Sequence, residues 1–229
     1  MRGPSWKTVS TLVTMLVIAG CQDSSVTSPH NGPVAATSMK MAPAGAPSLS
    51  LEGDDAPADA AKDFTVGPAG GIFYVGRNAV VFPAQSICDP ATSDYGPEAW
   101  DRPCEPLQSA ITVHAVSHTS ASGNWVDFSP ALRFVPSSNS RQWVWMYMFI
   151  PGARGAGDVS KFNILYSSMA GAPGVDETPL DATLRTYVDT STGFSVRRVK
   201  HFSGYQTSSG FSCTPSDDND CSGSAVQGP

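Results

Sequence analysis

From Phe64 onward the apolar residues of this chain fall in short runs, each closed by Gly, Pro, Ser or Asn, and none carries a sustained helical period. Ile72-Phe73-Tyr74-Val75, Ala79-Val80-Val81-Phe82, residues 110–116, 125–128, 131–135, 162–167, 182–188, 194–199 and 201–207 are such runs. They are rich in Val, Phe, Tyr and Thr, which suit a pleated, half-buried surface. With turn residues between them at regular spacing, the pattern predicts an all-β chain, an antiparallel β-sandwich over residues 64–210. The strongest run is 142–150. There Trp143, Trp145, Tyr147 and Phe149 alternate with Val144, Met146, Met148 and Ile150. Side chains two apart share a strand face, so both faces are apolar, as in a central strand covered on both sides.

The amino terminus is organised differently. Arg2 and Lys7 precede an apolar core that includes Leu12, Val13, Leu16, Val17 and Ile18. That core is shorter than the roughly 20 apolar residues a membrane span requires. Residues 1–20 therefore read as a secretory signal. Ile18-Ala19-Gly20-Cys21 follows directly and resembles the lipobox of bacterial lipoproteins. The resemblance implies cleavage before Cys21, a diacylglycerol thioether on Cys21, and a further acyl chain such as palmitate on the new amino group. Several chains anchor stably where one binds marginally. The alternative is an ordinary signal peptide in which Cys21 is incidental. The expected location is the cell envelope, with the membrane as a partner through the lipid. Gln22 is not the aspartate associated with inner-membrane retention, which leans toward an outer membrane.

Residues 21–63 contain no Phe, Trp or Tyr and are rich in Ala, Pro and Ser. Such a composition cannot offset its ordering entropy by burial. It reads as a disordered tether that holds the domain roughly 30 to 40 Å from the bilayer by random-coil scaling. Residues 211–229 form a polar tail. Cys88, Cys104, Cys213 and Cys221 remain after Cys21. An even number in an exported chain suggests disulfides. Three pairings are open, and the local one, Cys88 with Cys104 and Cys213 with Cys221, closes two short polar loops. Neither pair has zinc-knuckle spacing or a flanking histidine. The net charge of −6 becomes more negative by two when Arg2 and Lys7 are removed. With no basic stripe, nucleic acid is not an expected partner.

Within 64–208, Gly70-Gly71-Ile72-Phe73 is followed by Ala79-Val80-Val81-Phe82-Pro83-Ala84, then Ile111-Thr112-Val113, Asp127-Phe128-Ser129-Pro130, and His201-Phe202-Ser203-Gly204-Tyr205. This series resembles ZU-five domains, the β-sandwiches of ankyrins and netrin receptors. The segment between Cys88 and Cys104 stands as an insertion relative to that pattern. The resemblance implies a β-sandwich. It also draws attention to His201-Phe202-Ser203, because some ZU-five members cut their own backbone within that tripeptide. Ser203 would attack the Phe202 carbonyl, with His201 activating a hydroxyl that is otherwise a weak nucleophile. The competing reading is that these residues simply open the last strand.

Trp143, Trp145 and Tyr147 would form a sugar-stacking platform if exposed, or core if covered. The acidic run 216–220 lacks the Gly and Glu positions of a calcium loop. His114 and His118 share a strand face but show no third ligand, so no metal site is expected, and no cofactor motif stands out. The expected function is a non-enzymatic interaction or structural module with a protein or envelope polysaccharide partner. Self-cleavage between Phe202 and Ser203, and carbohydrate binding on the Trp143 face, are the alternatives.

Overall fold

A computed structural model describes residues 43–49, 51, 56–120, 123–168 and 172–209. Ten strands occur among them: β1 (Asp59–Val66), β2 (Gly71–Val75), β3 (Asn78–Phe82), β4 (Ile111–Ser120), β5 (Gly123–Arg133), β6 (Val144–Phe149), β7 (Phe162–Ser167), β8 (Tyr187–Asp189), β9 (Phe194–Val199) and β10 (His201–Ser209). They form two five-stranded antiparallel sheets, ordered β1-β4-β5-β10-β7 and β2-β3-β6-β9-β8. The fold is thus the expected antiparallel β-sandwich.

Local chemistry explains the elements. In β4 burial alternates, with Val113, Ala115, Ser117 and Thr119 inward, the pattern of a sheet with one solvated face. In β6 every residue is buried, as its two apolar faces require. β2 and β3 are joined by a two-residue turn whose first position, Gly76, has φ of 55°. Tight hairpins need a positive φ there, and a Cβ on Gly76 would lie 2.6 Å from Ser117 Oγ. The run 131–135, read as a separate strand, instead largely extends β5. The run 182–188 differs too: Asp181 accepts from the Thr183 amide and starts a 3-10 turn over Ala182–Leu184, so only β8 remains as strand.

The core has two layers. Between the sheets lie Phe64, Phe82, Val113, Val126, Phe128, Leu132, Phe134, Val144, Met146, Met148, Phe202 and Tyr205. On the outer face of the second sheet, Trp145, Tyr147, Phe149, Phe194 and Val196 are covered by Leu49 and Leu51. This corrects the boundary set at residue 64. β1 begins at Asp59, and Leu49, Leu51 and Ala56 are buried. These few apolar residues could not support a core alone, but they cover one that the sheet already presents. The Tyr147 hydroxyl donates to the Pro47 carbonyl at 2.6 Å and fixes this strap. The signal segment, Cys21, Cys213, Cys221 and the acidic run lie outside the described residues.

Candidate functional site

The segment between β3 and β4 carries most of what is unusual. Cys88 and Cys104 are disulfide-bonded, with a Cα–Cα distance of 5.6 Å, as the local pairing anticipates for this pair. The loop between them is bolted to the sandwich. The buried Arg133 guanidinium donates to the Ala99 carbonyl and, at 2.7 Å, to the Arg102 carbonyl. Lys200 binds Asp101 at 2.7 Å and Asp181 at 2.8 Å. Burial works against the Asp181 carboxylate, yet hydrogen bonds from Lys200 and Thr183 outweigh it and hold its pKa at about 2. Trp100 stacks on His201 with ring centroids 3.6 Å apart.

His201 is fully buried at the start of β10. Its Nε2 lies 2.9 Å from Glu177 Oε1, while Glu177 Oε2 accepts from Arg197 at 2.9 Å. Arg197 is also fully buried and donates to the Ile164 carbonyl. Because a carboxylate only accepts, the Glu177 contact places the imidazole proton on Nε2 and leaves Nδ1 as an acceptor. Nδ1 faces the Tyr95 hydroxyl at 3.5 Å. Tyr166 meets the ring edge-on at 4.7 Å, and the Tyr205 hydroxyl donates to the His201 carbonyl at 2.6 Å. Burial lowers the His201 pKa, Glu177 opposes that, and Arg197 and Lys200 push it lower still, so the ring is neutral near pH 7.

That shift has a sign. The unfolded chain takes up a proton near the ordinary histidine pKa of about 6.5, whereas the folded site takes it up only at lower pH. The His201 contribution is present above about pH 6.5 and is lost as pH falls toward the folded value. We expect the melting temperature to decline between pH 7 and pH 5, with a flatter profile in His201→Gln. Parallel profiles for the two proteins would contradict this.

Ser203 occupies a break in the ladder. Phe202 pairs with Leu132 but Gly204 pairs with Asp127, so β5 residues 128–131 have no register partner in β10. Pairing with β7 begins only at Gly204, opposite Ser167. Glycine is needed there, since a Cβ would lie 2.3 Å from Asp127 Oδ1 and 2.9 Å from the Ser167 carbonyl. Tyr95, whose hydroxyl lies 3.5 Å from His201 Nδ1, has its pKa pushed up to about 12, chiefly by burial, with Ser203 and Tyr166 as lesser influences. Phe202 points the other way, into the core, stacked on Phe128 at 4.2 Å and edge-on to Phe134 at 5.1 Å. His201 and Ser203 are thus brought to one cluster, and Phe202 serves packing.

The other candidates separate. Trp145 and Tyr147 are 1% and 0% exposed beneath Leu49 and Leu51, so the sugar platform on this face is withdrawn. Trp143 is half-buried, donates Nε1 to the Ser137 carbonyl at 2.7 Å, and carries Arg198 at 4.2 Å above its ring. Covering the face removes four aromatic side chains from water, which outweighs leaving them as a platform. His114 and His118 each pair with a separate carboxylate, Asp63 and Asp59. Sequence reasoning missed Glu177, Arg197, Tyr95 and Trp100. The one available signal was Arg197-Arg198 inside an apolar strand, where a charge demands a buried partner.

No family model matches the sequence, and no curated protein does.

Proposed function

We propose that this chain is a lipid-anchored envelope protein whose β-sandwich acts as a non-enzymatic interaction module, with the Cys88–Cys104 loop as its recognition element. The observation that carries this reading is the loop's fixation. A disulfide, Arg133, Lys200 and the Trp100–His201 stack hold it, while Asp94, Tyr95, Glu98 and Asp101 face solvent. A loop held rigid before binding loses little entropy on binding. The anchor is supported by Ile18-Ala19-Gly20-Cys21 behind its positive head and apolar core. The partner is a protein or an envelope polysaccharide. The test is capture from a solubilised envelope extract by the lipid-free domain, against a variant with residues 94–98 replaced by Gly and Ser. A partner retained by the first and lost by the second supports the reading. Equal capture by both removes the loop from it.

A second reading is favoured by the position of Ser203. It lies at a break in the ladder, two residues after the buried His201. In this reading Ser203 Oγ bonds to the Phe202 carbonyl carbon and the Phe202–Ser203 C–N bond breaks, its nitrogen taking the proton. Water then opens the ester, leaving a Phe202 carboxylate and a free Ser203 hydroxyl. β10 lies between β5 and β7, so the released piece stays in the sheet. Two bands on a denaturing gel, becoming one in Ser203→Ala, are the expected result. A single full-length band under all conditions removes self-cleavage.

A further inference from the structure

The face that the first sheet turns to solvent carries a row of side chains in register across all of its strands. Asp59 on β1 pairs with His118 on β4, and His118 with Trp125 on β5. Trp125 pairs in turn with Gln206 on β10, and Gln206 with Leu165 on β7. Positions in register share one side of a sheet. Two residues along, the next row holds Ala61, Val116 and Asp127. A groove of about 370 Å³ lies over β1, β4 and β5, lined by Asp59, Ala61, Val116, His118 and Trp125. That volume falls within the range of small-ligand sites. Trp125 is only partly buried, and its ring lies 6.0 Å from that of His118. His118 Nδ1 is held by the Asp59 carboxylate.

We propose that this groove binds an uncharged polysaccharide of equatorially substituted pyranoses, with one sugar stacked on Trp125. None of its lining residues belongs to the Cys88–Cys104 loop, so the site is additional to the recognition element proposed above. Charge selects the ligand. The outward positions of β1 and β4, and of β5 through Ser129, carry Asp59, Asp63 and Asp127 and no Lys or Arg. Such a face repels phosphates, uronates and nucleic acid. Its apolar part is one indole with Val116 and Ala61 beside it, among groups that hydrogen-bond. A stable protein interface instead buries about 800 Å² on each side around several apolar anchors. An equatorially substituted pyranose has the complementary form, a flat C–H face for the indole and hydroxyls at its edge. Covering the exposed part of the ring supplies the main gain. Asp59 and Gln206 stand on opposite sides of the indole in the row. The carboxylate accepts from hydroxyls, and the amide both donates and accepts.

The test is calorimetric titration of the full chain, in a detergent without a sugar headgroup, with cellohexaose, chitohexaose and polygalacturonate. At least one of the two neutral oligosaccharides is expected to bind with a Kd of about 0.1–1 mM, the scale for one stacked ring in an open groove. Polygalacturonate is expected not to bind. Trp125→Ala is expected to weaken the neutral sugar by about tenfold or more, as loss of an aromatic anchor does. Asp59→Ala, at an exposed position on an edge strand, removes one acceptor and is expected to weaken it by about threefold or more. That variant decides the matter if Trp125→Ala fails to fold. The chain with residues 94–98 replaced by Gly and Ser is expected to bind the sugar as the wild type does, which separates this site from the loop. No binding of cellohexaose or chitohexaose at about 10 mM overturns the proposal. So does equal binding by the wild type and both groove variants, or tighter binding of polygalacturonate. If Trp125 is instead required for capture of an envelope protein or for self-association of the chain, the face is a protein contact and the sugar site falls.

Discussion

Replacing Glu177 with alanine lowers the stability of the domain by about 3–5 kcal/mol, the scale for removing one partner of a buried ion pair. Arg197 makes this a large effect. Its side chain is fully buried, and Glu177 is the carboxylate it pairs with. Its Nε is without a hydrogen-bond partner among the described residues. Removing Glu177 would leave a guanidinium with only the Ile164 carbonyl as acceptor, and would free His201 Nε2 as well. At about 2–4 °C per kcal/mol for a domain of this size, the melting temperature falls by about 10 °C. Glu177→Gln keeps one acceptor oxygen for two donors and should fall between. Urea and thermal unfolding of the three proteins measure this. A loss below about 1 kcal/mol for Glu177→Ala would show that water or another group reaches Arg197.

Truncating Phe202 to alanine has a comparable expected cost, about 3–5 kcal/mol, by a different route. Phe202 is fully buried where the two sheets meet, in contact with Phe82, Phe128 and Phe134. Alanine would leave a cavity that these rings, held by β3, by β5 and by the segment after β5, are poorly placed to fill. Phe202→Leu keeps much of the volume and should cost appreciably less. Chemical denaturation gives both numbers. Near-equal stability of Phe202→Ala and the wild type would mean that this ring does not sit in the core, and the placement of the whole tripeptide would need revision.

The fold was legible where burial follows period. The alternation of Trp143, Trp145, Tyr147 and Phe149 with Val144, Met146 and Met148 requires apolar cover on both faces, and β6 has it. What the sequence concealed was the source of the outer cover. Leu49 and Leu51 stand in a Pro- and Ala-rich stretch with no periodicity, and their burial depends on a surface formed more than ninety residues later. Residues 182–188 read as strand because Leu184 and Val188 are apolar, yet Asp181 capping at the 3-10 turn decided the local backbone.

The candidate site was legible only in its last-strand members. His201 and Ser203 stand out within one tripeptide, but Glu177 lies in a polar loop that reads as solvated, and Tyr95 in the loop between Cys88 and Cys104. Neither carries a local signal, because a buried ion pair and the contacts of a loop depend on long-range closure of the chain. Arg197 was the exception in principle. An arginine within Phe194–Val199 needs either solvent or a carboxylate, and here it has the carboxylate.

Acylation of Cys21 would tether the sandwich to a bilayer and put its thiols in oxidising surroundings, so the covalent state of Cys21 decides the proposed function. Intact and peptide mass spectrometry of the membrane fraction measures it directly. The predicted result is a chain beginning at Cys21, carrying diacylglycerol and an amide-linked acyl group. A chain that begins at Met1, is found in the cytosol and carries an unmodified Cys21 thiol would contradict it.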